Sequence, residues 1–242
     1  MKKPEESGVA NAKGFDMSAW QPKTALGKKV KAGEITNIDE ILNKGYRILE
    51  SEIVDALLPD LEKDLLAIGQ SKGKFGGGKK SIWKQTQKKS KEGNKPSFTT
   101  MAIVGNRNGY VGMGMGKARE TMPAREKATR KAKLNIIKVK RGCGSWECGC
   151  GEQHSIPFAI TGKCGSISIT LKPAPKGTNL IINKECQKIL DFAGIRDIYS
   201  KTLGQTSTKM NLVKACFYAL KNLADIKIKK QFIRKVGLAK NE

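Results

Sequence analysis

The longest regular pattern in the chain runs from Ser97 to Leu134. Thr99 to Val104 is apolar or β-branched and stops at the turn signal Gly105-Asn106, which predicts a strand. In Tyr110-Val111-Gly112-Met113-Gly114-Met115 large and absent side chains alternate. A strand here sets Tyr110, Gly112 and Gly114 on one face and Val111, Met113 and Met115 on the other. A glycine face is one that another element approaches closely. Thr121 with Pro123 then signals a helix start, where a missing N–H does no harm. Ala124, Ala128 and Ala132 follow as a smooth stripe suited to lying on a sheet, and the outward faces carry Arg125, Lys127, Arg130, Lys131 and Lys133.

The rest of the chain divides around this centre. Ile53, Val54, Leu57, Leu58, Leu61, Leu65 and Leu66 recur at helical spacing, with Pro59 predicted to split them into two short helices. Gln70 to Lys95 is a polar linker in which Trp83 to Thr86 starts a strand, so that Lys88, Lys89, Lys91 and Lys95 fall on a hairpin tip. Leu134 to Val139 suits a short strand. Ile156 to Phe158, Ile160 and Ser166 to Leu171 show β-rich alternation. Asn183 to Phe192 reads as a helix with Gly194 as its C-terminal cap, Asp197 to Ser200 as a strand, and Thr208 to Ala224 as a long helix. The order predicts an α+β chain of two domains, a sheet-plus-helix unit over 78–140 and a βαβα sandwich over 155–225. A Gly/Cys-rich connector, 141–154, joins them. Residues 1–33 read as a basic extended tail, 34–69 as an acidic helical extension and 226–242 as a second basic tail.

Charge narrows the function. The formal net charge is +24, an imbalance that a polyanionic partner would neutralise. Arg107, Lys117, Arg119, Arg125, Lys127, Arg130 and Lys131 form the densest basic group and are expected to face phosphate, together with the hairpin lysines. Between Glu34 and Leu66 the sign inverts, with nine acidic side chains against Lys44, Arg47 and Lys63. Such a segment would be repelled by phosphate and is expected to dock on this protein or on a basic neighbour. No apolar run approaches the ~20 residues that span a bilayer, and the start of the chain lacks a signal-peptide core, so a cytosolic location is expected.

The glycines before Lys117 do not make a nucleotide site. A P-loop needs a glycine where Val111 stands and a hydroxyl where Ala118 stands, and a dinucleotide fingerprint would need its third glycine at Lys117. Cys150 with His154 could suggest a thiol nucleophile and base, but no third orienting residue is apparent in the sequence, so the chain is not expected to be an enzyme. Cys143, Cys148, Cys150 and His154 place four metal-type donors within twelve residues. Gly144, Gly149 and Gly151 give the chain the freedom to fold around a zinc ion, although the single residue between Cys148 and Cys150 is tighter than usual. No cofactor is required for the expected function. A stand-alone zinc-dependent nucleic-acid-binding protein is an alternative, but it would need a recognition helix where Ser155 onward reads as strand.

The motif Phe98, Val104-Gly105-Asn106-Arg107-Asn108-Gly109-Tyr110-Val111-Gly112, then Gly114, Gly116-Lys117-Ala118 and the alanine-spaced basic helix, resembles the small-subunit ribosomal protein S-five family in its archaeal form. Pro173-Ala174-Pro175-Lys176-Gly177-Thr178, Ala193-Gly194-Ile195 and Thr202, Gly204-Gln205-Thr206 resemble the same family's C-terminal domain. Asn179 stands where the family usually has glycine, and asparagine is the substitute that best tolerates positive φ. The resemblance implies a double-stranded-RNA-binding-like first domain on small-subunit rRNA. It also implies a second domain against the neighbouring proteins S-four and S-eight, and a place near the mRNA entry side with an influence on decoding accuracy.

Overall fold

The computed structural model describes residue 17, residues 20–71, residue 73 and residues 80–227. Most of both expected basic tails, and the Gly76-Gly77-Gly78-Lys79 run of the linker, lie outside the described residues.

The N-terminal stretch differs from the extended tail expected up to residue 33. Thr24 caps helix α1 (Ala25–Lys31) by accepting from the Gly27 N–H, and Glu50 accepts from the N–H groups of Lys23 and Thr24 at 2.9 and 2.6 Å. Helices α2 (Ile38–Asn43) and α3 (Ser51–Leu57) follow. Trp20 and Val30 are buried with Ile38, Ile41, Ile53 and Val54 in a small core that leans on Ile136. Trp20, Leu26 and Val30 are too sparse to make a core alone; they acquire one only when the acidic segment folds onto them.

After Pro59 the chain forms not a second helix but strand β1 (Glu62–Leu65), antiparallel to the strand that holds Ala102, with Leu65 opposite that residue. A short apolar run cannot separate helix from strand, and an unpaired sheet edge decided the outcome. Strands β2 (Lys84–Ser90) and β3 (Gly93–Gly105) make the anticipated hairpin, with Lys88 opposite Lys95 and Ser90 opposite Gly93. Strand β4 (Tyr110–Ala118), helix α4 (Thr121–Leu134) and strand β5 (Ile136–Lys138) complete a sheet in the order β1-β3-β4-β5, with β2 continuing beside β3.

The glycine face of β4 receives α4. A Cβ on Gly112 would lie 2.3 Å from the Ala132 carbonyl oxygen, and one on Gly116 would lie 2.1 Å from that of Ala124. The opposite face, Met101, Ile103, Val111 and Met113, is buried against the second half of the chain.

That half contains β6 (Ile160–Cys164), β7 (Ile167–Pro173), β8 (Leu180–Ile181), α5 (Lys184–Phe192), β9 (Ile198–Leu203) and α6 (Lys209–Asp225). Its sheet runs β6-β7-β9-β8, and the two-residue β8, absent from the expected order, pairs parallel to β9 across α5. Asn179, at φ +63°, makes the turn into β8. One core joins both halves: Met101 and Val111 of the first sheet cluster with Leu190 of α5 and Leu220 of α6.

Candidate nucleic-acid interface and metal centre

Lys88, Lys89, Lys91 and Lys95 occupy the end of the β2–β3 hairpin, all exposed. Lys117 and Arg119 lie where β4 ends, and Arg125, Lys127, Arg130 and Lys131 are exposed on α4 because its alanine stripe takes up the sheet-facing side. Of these and Arg107, only Lys95 (to Glu92, 3.0 Å) and Arg107 (to Glu62, 2.9 Å) have a carboxylate within ion-pair distance among the described residues. Lys133 departs from its expected outward position. It is buried and paired with Asp55 of α3.

Several acids of the N-terminal extension are held by partners within this protein. Asp39 accepts from the Tyr110 hydroxyl at 2.6 Å and from Lys138 at 2.5 Å, and Asp64 pairs with Lys188 at 2.7 Å. Burial, followed by the Asp39 contact, pushes the Tyr110 hydroxyl pKa upward. Apart from Lys133 on α4 and Lys95 on the hairpin, the lysines and arginines named on these two elements have no carboxylate within ion-pair distance among the described residues.

The connector folds back on itself through a Gly142–Ser155 bridge and brings Cys143, Cys148, Cys150 and His154 together, with all four candidate ligand atoms within 4.8 Å of one another. A tetrahedral zinc with bonds of about 2.3 Å holds its sulfurs roughly 3.8 Å apart, so the cluster needs only slight contraction to fit. His154 is buried, and its Nε2 stands 3.9 Å from the Cys148 sulfur. Its Nδ1 is 2.9 Å from Oδ2 of Asp197. A carboxylate only accepts, so the proton sits on Nδ1 and the Nε2 lone pair is aimed at the thiols.

Main-chain donation from Lys176 and then Cys150 pulls the Cys148 thiol down to about 6. Burial and the neighbouring sulfurs push Cys143 up to about 11. One thiolate is thus favoured and a second beside it is not, unless a cation enters the cluster. Asp197 is the third orienting group that the sequence did not reveal. Even so, three thiols converge on one imidazole, which suits a metal and leaves two of them idle in a nucleophilic dyad.

Asp197 does more than orient the histidine. Its Oδ1 accepts from the Gly177 and Asn179 N–H groups at 3.1 and 2.9 Å, while the Ser155 hydroxyl donates to its carbonyl at 2.6 Å. The cluster is therefore fastened to the loop before β8. Trp146, at 92% exposure, stands at the outer end of the same connector.

Residues 82–140 match the family Ribosomal protein S5, N-terminal domain, and residues 162–232 match Ribosomal protein S5, C-terminal domain. A curated relative named small ribosomal subunit protein uS5 from Nanoarchaeum equitans is 50% identical over 92% of this chain and 95% of its own length. Proteins of the same name from Methanobrevibacter smithii and Methanocaldococcus jannaschii are 45% and 47% identical, each over 93% of this chain and over 98% and 96% of their own lengths.

Proposed function

The chain belongs to the ribosomal protein S5 family, and on that premise we propose which of its surfaces meet RNA and what its cysteines hold. It is a structural constituent of the small ribosomal subunit that binds rRNA and other ribosomal proteins, and it is not an enzyme. In the proposed arrangement Lys88, Lys89, Lys91 and Lys95 reach rRNA from the hairpin end. Arg107, Lys117, Arg119, Arg125, Lys127, Arg130 and Lys131 face its phosphates along the first domain. The second domain contacts the neighbouring proteins S-four and S-eight, and the molecule supports assembly and decoding accuracy near the mRNA entry side.

The observation that supports the RNA surface is the separation of charge: Asp39, Asp55 and Asp64 of the N-terminal extension pair with lysines of this protein, while Lys88, Lys89, Lys91, Lys117, Arg119, Arg125, Lys127, Arg130 and Lys131 have no carboxylate within ion-pair distance among the described residues. Filter binding of the full chain to a structured small-subunit rRNA fragment tests it. Each neutralised phosphate should add roughly 0.7 to 0.9 to the log–log salt slope. A salt-independent affinity overturns the proposal. Residues 78–142 alone would be a poor substrate for this test, since β1 and the α5 and α6 core partners lie outside them.

Cys143, Cys148, Cys150 and His154 are proposed to hold one structural zinc, which would brace a connector with little apolar surface of its own. Metal analysis of the full chain, purified without chelator, should find one zinc per molecule, lost in Cys148→Ser, Cys150→Ser. Its absence from the unsubstituted protein rejects the metal.

A further inference from the structure

A cavity of about 410 Å³ opens between the two halves of the molecule, lined by Arg107, Arg141, Glu152, His154, Asp191 and Arg196 with their neighbours. Its floor is built from main chain. The Arg107 and Gly109 N–H groups donate to the Phe192 and Ala193 carbonyls at 3.0 and 3.1 Å, so the β3–β4 turn occupies the acceptors at the end of α5. Gly194, at φ +77°, lets the walls meet: a Cβ there would lie 2.1 Å from the Arg107 carbonyl oxygen and 2.7 Å from a terminal nitrogen of Arg141.

The cations around this space are unequally matched. Both carboxylate oxygens of Glu152 are taken by Lys176, at 3.0 and 2.8 Å. Asp191 lies 3.9 Å from Arg107, which Glu62 holds as well. Among the described residues Arg141 finds only neutral acceptors, the Asn108 side-chain oxygen at 2.6 Å and the Gly194 carbonyl at 3.5 Å. The Arg196 side chain has no hydrogen bond or ion pair among the described residues. Arg141 and Arg196 line the same cavity, so two like charges face one space. An anion between them would turn that juxtaposition into two charge-assisted contacts.

We propose that Arg141 and Arg196 form an interdomain phosphate site and that its occupant is a backbone phosphate of RNA. Guanidinium forks match phosphate oxygens, and the site would tie one RNA strand to both halves of the protein at once. Their positions follow from the connector: Arg141 precedes the Gly142–Ser155 bridge, and the Arg196 N–H donates to the His154 carbonyl at 2.8 Å. The proposal rests on rRNA being the partner. It adds two residues outside the hairpin and the α4 surface.

The test compares the full chain with Arg196→Gln and Arg196→Lys in binding to a structured small-subunit rRNA fragment across a salt series. The Arg196 side chain is exposed and makes no hydrogen bond or ion pair among the described residues, so both variants should unfold within a few degrees of the parent. Arg196→Gln should lower the salt slope by roughly 0.7 to 0.9, which is about five- to eightfold in affinity near 0.1 M salt, with Arg196→Lys keeping most of both. An unchanged slope in Arg196→Gln overturns the site while leaving the wider RNA surface intact, whereas a parent protein without salt-dependent binding removes that surface itself. Titration with inorganic phosphate forms the second arm. Stabilisation by phosphate that Arg196→Gln abolishes, without any change in RNA binding, would assign the cavity to free anions and reject an RNA occupant.

Discussion

Single atoms decide how closely the layers of this protein approach. A Cβ on Gly114 would lie 2.2 Å from the Ala132 nitrogen and 2.4 Å from the Ala128 carbonyl oxygen, and neither backbone atom can step aside without moving α4. Gly114→Ala should therefore destabilise the protein by about 1–3 kcal/mol or more, read as a lower urea midpoint. An unchanged midpoint would mean that α4 does not sit on this face. The residues that make this contact were visible in the sequence, because an alternating glycine face beside an alanine stripe has few other uses. Asp197 was not visible. It lies 43 residues beyond His154, and only the tertiary fold brings the two together. Asp197→Asn would present an N–H to His154 Nδ1, shift the ring proton to Nε2 and turn a donor toward the thiols. Zinc affinity, measured by competition with a chromogenic chelator, should fall roughly tenfold to a hundredfold. Full retention would remove Asp197 from the metal site.

Among elements, hairpins and amphipathic helices were the most legible, since their patterns are local. The β2–β3 hairpin, α4, α5 and α6 follow the expected spans closely. The failures occur where a partner distant in sequence decides. β1 is a strand because the β3 edge accepts it, and α1 folds because Trp20 and Val30 find Ile41 and Ile53. The hairpin itself carries a clean test. Lys88, Lys89 and Lys91 make no ion pair among the described residues, and Lys95 reaches only the exposed Glu92. Replacing the four by alanine should leave thermal stability nearly unchanged, because exposed pairs contribute little. Incorporation into small subunits should drop, or misreading in a reporter assay should rise. If both stay at parental levels, the hairpin end is not an RNA contact.

At the scale of the whole molecule, the boundary expected near residues 141–154 exists in the chain but not in the core. Sequence composition marks the connector by its glycines and cysteines, whereas the contact of Met101 and Val111 with α5 and α6 leaves no local trace. The shared core holds the two halves in one arrangement, and most exposed cations of α4 and the hairpin have no carboxylate partner among the described residues. Both features suit a protein that ties RNA segments together by shape and phosphate contact. Co-sedimentation of the full chain with small ribosomal subunits, in low and in high salt, tests that account most directly. The chain should travel stoichiometrically with the subunit in low salt and be released progressively as salt rises. A chain that stays at the top of the gradient in low salt, beside subunits lacking their own copy, would contradict it.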